Sequence, residues 1–201
     1  MTATPLIYRS PRVYGLLMRG LYGRHYGDRY VAVAAEVPRG ASVLDVCAGD
    51  CRLFTRHLRQ AGVSYRALDV SPTFVAHARA RGIDATLFDL ARDELPVADV
   101  VVMQGSLYQF IAEAPKVLQR LRRAARLEVV VAEPVRNLSD TPVLGAIARQ
   151  LTRVRPGEQR GPARFDAASL RRLFEGAEGF ERAYPIPGGR ELVGIFRGGA
   201  A

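Results

Sequence analysis

Three acidic residues, Asp45, Asp69 and Asp89, each stand at the end of a short apolar run. The first lies in ASVLDVCAGDCRLF, residues 41–54, where a β-branched run breaks into a small-residue turn around Gly49 and Arg52 and Leu53 open a helical pattern. Cys47, Ala48 and Gly49 are small enough to let backbone approach a ligand, and a strand running into a helix N-terminus is where open α/β sheets bind nucleotides. Asp69 follows Cys51 by 18 positions, a spacing at which a carboxylate beyond a strand end accepts hydrogen bonds from ribose hydroxyls. Asp89, in TLFDLARDELP, either faces an adenine amino group or caps a turn. Each has a plainer alternative: a tight strand–helix turn at Gly49, a helix entry at Asp69. Three acidic strand ends in order point to a nucleoside-containing ligand.

Such residues need a sheet to position them. The apolar runs predict strands at Ser42–Val46, Tyr65–Asp69, Ala85–Phe88, Ala98–Met103 and Glu128–Glu133. Helical periodicity fits between them at Arg52–Ala61, Pro72–Arg81 and Ala112–Arg123, with Ser71 as a cap and Pro72 in the first turn. The N-terminal part, about Pro11 to Val37, reads as helical but interrupted by Gly15, Gly20, Gly23 and Gly27. Asp166 caps a further helix to about Glu175, and Phe180–Ile186 and Glu191–Phe196 read as a closing hairpin that would make a parallel sheet mixed.

The chain has 201 residues, 48% hydrophobic and 24% charged, which suits one domain with a full core. No apolar run reaches the roughly 20 residues of a membrane span, and no secretory pattern opens the chain, so a cytoplasmic protein is expected. Two cysteines in one turn and three scattered histidines (His25, His57, His77) make neither a disulfide framework nor a metal site. The net charge of +9 comes from arginines spread from Arg9 to Arg197, with Lys116 the one lysine. Scattered arginine without long basic runs reads as solvated helix faces rather than a nucleic-acid footprint.

The order of these segments resembles the class I S-adenosylmethionine-dependent methyltransferases. VLDVCAGDCRL is similar to that family's first motif, ALDVSPTFVAHARARG to its second, FDLARDELP to its adenine-contacting segment, ADVVVMQGSLYQF to its fourth-strand motif and LEVVVAEP to its fifth strand. The resemblance implies a Rossmann-like three-layer α/β sandwich: a mostly parallel seven-stranded sheet, a C-terminal antiparallel hairpin and N-terminal lid helices. It divides one domain into a lid (1–38), a cofactor-binding core (39–134), a substrate-facing insertion (135–165) and a closing helix and hairpin (166–201). The implied cofactor is S-adenosyl-L-methionine, with S-adenosyl-L-homocysteine as product and no metal.

Residue by residue, Asp45 would orient the first loop and approach the methionine amino group, while Cys47, Ala48 and Gly49 line the methionine and ribose side. Asp69 would bind the ribose and Val70 pack on the adenine. Asp89 would bond the adenine amino group, Leu90 lie beside the ring and Gln104 sit near the methionine portion. Cys47 and Cys51 replace two of the family's glycines, and a position needing positive φ resists that replacement.

Methyl transfer from a sulfonium needs mainly proximity and orientation. Tyr108, Tyr26 and His25 are the candidate groups facing the methyl, His25 having a side chain whose ordinary pKa suits a base. Tyr14, Tyr22, Tyr26 and Tyr30 share a helical face if that segment is continuous, either as core packing or as a lid. Arginines between Arg136 and Arg164 could receive a carboxylate or phosphate, exposed arginine being the simpler reading. The expected activity is methyl transfer to O, N or C of a small molecule, in a bacterial protein that could form a homodimer. A nucleic-acid methyltransferase and a non-catalytic binding protein of the same fold are the alternatives.

Overall fold

The computed structural model describes residues 27–135 and 164–200. Seven strands form one sheet: β1 (Ser42–Val46), β2 (Ser64–Asp69), β3 (Asp84–Leu87), β4 (Ala98–Gln104), β5 (Ala125–Pro134), β6 (Phe180–Pro185) and β7 (Glu191–Arg197). Their order is β3-β2-β1-β4-β5-β7-β6. The first five are parallel, and β7 runs antiparallel to both β5 and β6. The mixed sheet and closing hairpin expected from the sequence are both present. The order reverses between β1 and β4, which leaves a crevice at the C-terminal ends of those strands, where open sheets bind ligands.

Among the described residues four α-helices cover the sheet: α1 (Asp28–Glu36), α2 (Pro72–Arg79), α3 (Ala114–Ala124) and α4 (Ala167–Glu175). Alternation along the strands divides the core between two faces. Val43, Tyr65, Ala67, Val100 and Val102 pack against α1 and α2. Leu44, Leu68, Val101 and Met103 pack against α3 and α4 on the other face. Helix starts follow the sequence signals: the Ser71 hydroxyl accepts from the Phe74 N–H ahead of Pro72, and Asp166 and Ser169 form a reciprocal capping box on α4.

One element differs from expectation. The helix predicted over Arg52–Ala61 is a π-helical turn, Phe54–Leu58, followed by a 3₁₀ turn, Arg59–Ala61, that stops at Gly62 in the left-handed conformation. The distortion lets the Phe54 ring stack on Tyr65, centroids 4.5 Å apart. A π turn adds a residue to the helical circuit without changing which residues are apolar, so periodicity does not reveal it. β5 also begins at Ala125, three residues before the expected Glu128. No helix among the described residues is long and apolar enough to cross a membrane.

Candidate active site

The turn after β1 carries three left-handed residues at alternate positions: Cys47 (φ 60°), Gly49 (φ 55°) and Cys51 (φ 53°). The conformation that glycine would favour is therefore kept with cysteine in place, at a cost on the order of 1–2 kcal/mol per residue. Cys51 is buried in the core beneath the turn, and half-buried Cys47 lines the cleft above it. Burial pushes the Cys51 thiol up to about 12 and holds Cys47 well above its ordinary value, so both remain protonated thiols at neutral pH.

The turn's N–H groups are largely committed within the protein. Ala48 donates to the Leu68 carbonyl, Cys51 to the Ala48 carbonyl, Arg52 to Asp50 Oδ1 and Gly49 to Asp69 Oδ2 at 2.8 Å. Asp69 Oδ1 accepts from the Ser71 N–H, also at 2.8 Å, so this one carboxylate ties the β1 turn to the start of α2. The loop-orienting contact expected of Asp45 is thus made by Asp69. Each Asp69 oxygen retains a lone pair for a further donor.

Asp45 is buried and accepts a 2.6 Å hydrogen bond from the Tyr65 hydroxyl. The two residues share a sheet face on adjacent parallel strands, offset by two positions from direct partners. Burial pushes the Asp45 carboxyl up to about 7, the Tyr65 bond opposes that rise, and neighbouring Asp69 and Asp50 add to it. Asp69 and Asp50 are raised too, chiefly by burial. The cleft, about 360 Å³ including space open to solvent, is walled by Asp45, Asp50 and the Cys47–Gly49 turn on one side. Arg29, Gln104 and Ser106 line its other end.

That end stands on β4, β5 and β7. Gln104 Nε2 is buried with no hydrogen-bond partner among the described residues. Arg29, on α1, pairs with Glu191 Oε1 at 3.1 Å, both side chains buried. Glu133, fully buried where β5 ends, accepts the Leu107 N–H through Oε2 at 2.9 Å and so fixes the 3₁₀ segment Leu107–Glu113. Burial pushes the Glu133 carboxyl up to about 8. Tyr108 is buried in that segment, and the Arg164 guanidinium carbon lies 3.5 Å from the centre of its ring.

The structure brings Asp45, Cys47, Ala48, Gly49 and Gln104 around one cleft, with Asp69 tied to its turn. Val70, 60% exposed, stands just beyond Asp69. Asp89 caps a turn: its carboxylate accepts from the Ala91 N–H, and Arg92 lies 3.5 Å from it. Leu90 is buried in the core with Leu44 and Met103. His25 and Tyr26 lie outside the described residues. Sequence reading missed Arg29 and Tyr65. Tyr65 was the more accessible of the two, being a polar aromatic on the buried face of a central strand, where its hydroxyl needs a partner.

No family model matches the chain. Among curated proteins it is 33% identical over 128 residues to a trans-aconitate 2-methyltransferase of Mycobacterium sp. (strain KMS), covering 63% of this chain and 50% of that protein. The chain thus spans about half the length of the curated relatives it matches. Among solved structures, the methyltransferase in a complex with the Haloferax volcanii Trm112 methyltransferase activator superposes with a TM-score of 0.71 at 16% identity, covering 98% of this chain and 99% of that one. The fold is that of the class I S-adenosylmethionine-dependent methyltransferases. A second member of that fold, magnesium protoporphyrin IX methyltransferase from Synechocystis PCC 6803 with bound S-adenosylhomocysteine, gives a TM-score of 0.66 at 19% identity, covering 96% of each chain. At these identities the structural likeness shows the fold alone.

Proposed function

We propose that the chain binds S-adenosylmethionine in this cleft and transfers its methyl group to a small-molecule acceptor. The observation that carries this reading is the electrostatics of the turn. Most of its N–H groups are committed to protein acceptors, and the side chains around them are the carboxyls of Asp45, Asp50 and Asp69. A dinucleotide pyrophosphate needs free N–H groups and would meet three carboxylates. A cationic ligand without phosphate suits the same surroundings and would restore the ionised form that burial disfavours.

When bound, S-adenosylmethionine supplies a methyl group already activated by sulfonium charge. Asp69 keeps lone pairs for the ribose hydroxyls, Asp45 offers a carboxylate to the amino group, and the partnerless Gln104 Nε2 can donate to the carboxylate. Val70 offers an apolar face to the adenine. Holding donor and acceptor in line can supply on the order of 7–11 kcal/mol without a strong base. His25 and Tyr26 remain the candidates for closing the cleft and taking up a proton, and Tyr108 for shaping the acceptor side. The name of the curated relative places a small carboxylic acid among the acceptors to test.

Calorimetric titration with S-adenosylhomocysteine and, separately, with NAD⁺ tests the reading. Saturable one-site binding of the first and no heat from the second is expected; binding of NAD⁺ alone would overturn it.

A further inference from the structure

Eight of the described arginines pair with carboxylates, among them Arg29 with Glu191, Arg66 with Asp84, Arg122 with Glu178 and Arg182 with Glu36. Arg164 is different. It is half-buried, yet among the described residues no carboxylate forms an ion pair with it. The carbon of its guanidinium lies 3.5 Å from the centre of the Tyr108 ring, a stacking distance. Stacking occupies the face of a guanidinium and leaves its in-plane N–H donors directed outward, the edge that takes oxyanions in bidentate fashion.

The surroundings explain why this cation is uncommitted. Two carboxyls lie at the same corner, and both have other work. Glu191 is held by Arg29, and Glu133 accepts the Leu107 N–H. Glu133 does feel the Arg164 charge, but burial keeps its carboxyl mostly protonated at neutral pH, so it does not neutralise the guanidinium. Tyr108 follows Ser106, which lines the cleft, by two residues, and Glu133 closes β5. Arg164 therefore stands over the C-terminal ends of β4 and β5, beyond the Gln104 end of the cleft.

Resting on the methyltransferase reading of that cleft, we propose that Arg164, stacked on Tyr108, is the anion-receiving residue of the acceptor subsite, so that the acceptor carries a carboxylate or phosphate. The stack presents the cation rigidly. An incoming oxyanion gains two charge-assisted hydrogen bonds without first displacing a protein carboxylate. The residue thereby selects among small acceptors by charge, while the cofactor side of the cleft is unaffected.

The test is calorimetry on the full chain in two stages. S-adenosylhomocysteine is titrated first; tricarballylate, its neutral trimethyl ester and inorganic phosphate are then titrated into both the free and the loaded protein. Tricarballylate or phosphate should bind the loaded wild type and the ester should not, the stronger of the two anions telling carboxylate from phosphate recognition. Arg164→Gln should weaken that anion by at least about tenfold, whereas Arg164→Lys should retain part of the affinity. S-adenosylhomocysteine affinity should be the same in all three proteins, and Arg56→Gln, which removes an exposed positive charge elsewhere, should leave anion binding unchanged. Anion affinity that survives Arg164→Gln, or absence of anion binding to the loaded wild type, overturns the proposal. Failure of S-adenosylhomocysteine to bind strikes the methyltransferase reading instead, and the anion titration of the free protein still reports on Arg164.

Discussion

Replacing Tyr65 by Phe removes one oxygen and keeps the ring that stacks on Phe54. The lost interaction is a 2.6 Å hydrogen bond to a buried carboxylate, Asp45. Bonds to charged acceptors contribute about 1.5–3 kcal/mol, which corresponds to about 1–2 pKa units. Asp45, at about 7 in the intact protein, should move to about 8–9 in the variant. If a cation is bound by the ionised carboxylate, its affinity scales with the ionised fraction. At pH 7.5 that fraction falls by about 3- to 25-fold, and near pH 9.5 the difference almost vanishes. Titrating S-adenosylmethionine into both proteins between pH 6 and 9.5 gives the two curves. They should converge at high pH, with proton release on binding below pH 7.5. Equal affinities at every pH would refute the claim that Tyr65 holds Asp45 in the form the ligand needs.

Asp69→Asn keeps the side-chain size but sets an amide NH₂ against one of the two backbone N–H groups that the carboxylate accepts. A loss of about 1.5–3 kcal/mol in urea unfolding is expected, and an unchanged midpoint would show that the bonds to Gly49 and Ser71 contribute nothing. Burial pushes the Glu133 carboxyl from an ordinary 4.5 up to about 8, so between those pH values folding takes up a proton there. Its contribution favours the fold at low pH and is lost as pH rises toward 8. Glu133→Gln imitates the protonated side chain and should flatten the fall in stability between pH 5 and 8; a wild-type slope in the variant would count against it. Gly194→Ala would place a Cβ 2.6 Å from the Phe174 ring on the sheet's α4 face, so a loss of about 1–3 kcal/mol is expected by thermal unfolding, and an unaltered Tm would contradict the packing.

The sheet was legible because its central strands carry short apolar runs, Val43–Leu44, Ala67–Leu68, Val100–Met103 and Val129–Ala132, each followed by a polar residue. Asp45 and Asp69 could be placed at one crevice on that pattern alone. The turn was legible in position but not in conformation: small cysteines were expected to permit the approach glycine allows, but nothing in the sequence shows that both are held at positive φ. The first residues of β5 were hidden because Ala125–Leu127 continue the Arg-rich tail of α3 without a break in composition. The Arg29–Glu191 pair joins residues 162 positions apart, and no local spacing encodes such a contact. Its faint trace is a glutamate opening an otherwise apolar strand, Glu191 before Leu192 and Val193. Arg164 over Tyr108 is equally non-local, and among so many arginines nothing in sequence singles it out.

The carboxylate-lined crevice after β1 is proposed to take a sulfonium nucleoside. A crystal structure grown with S-adenosylhomocysteine tests it most directly. The ribose is expected at Asp69, the adenine against Val70, and the amino-acid end between Asp45 and Gln104. A cleft left empty at saturating ligand, or the nucleoside bound elsewhere on the chain, would contradict it.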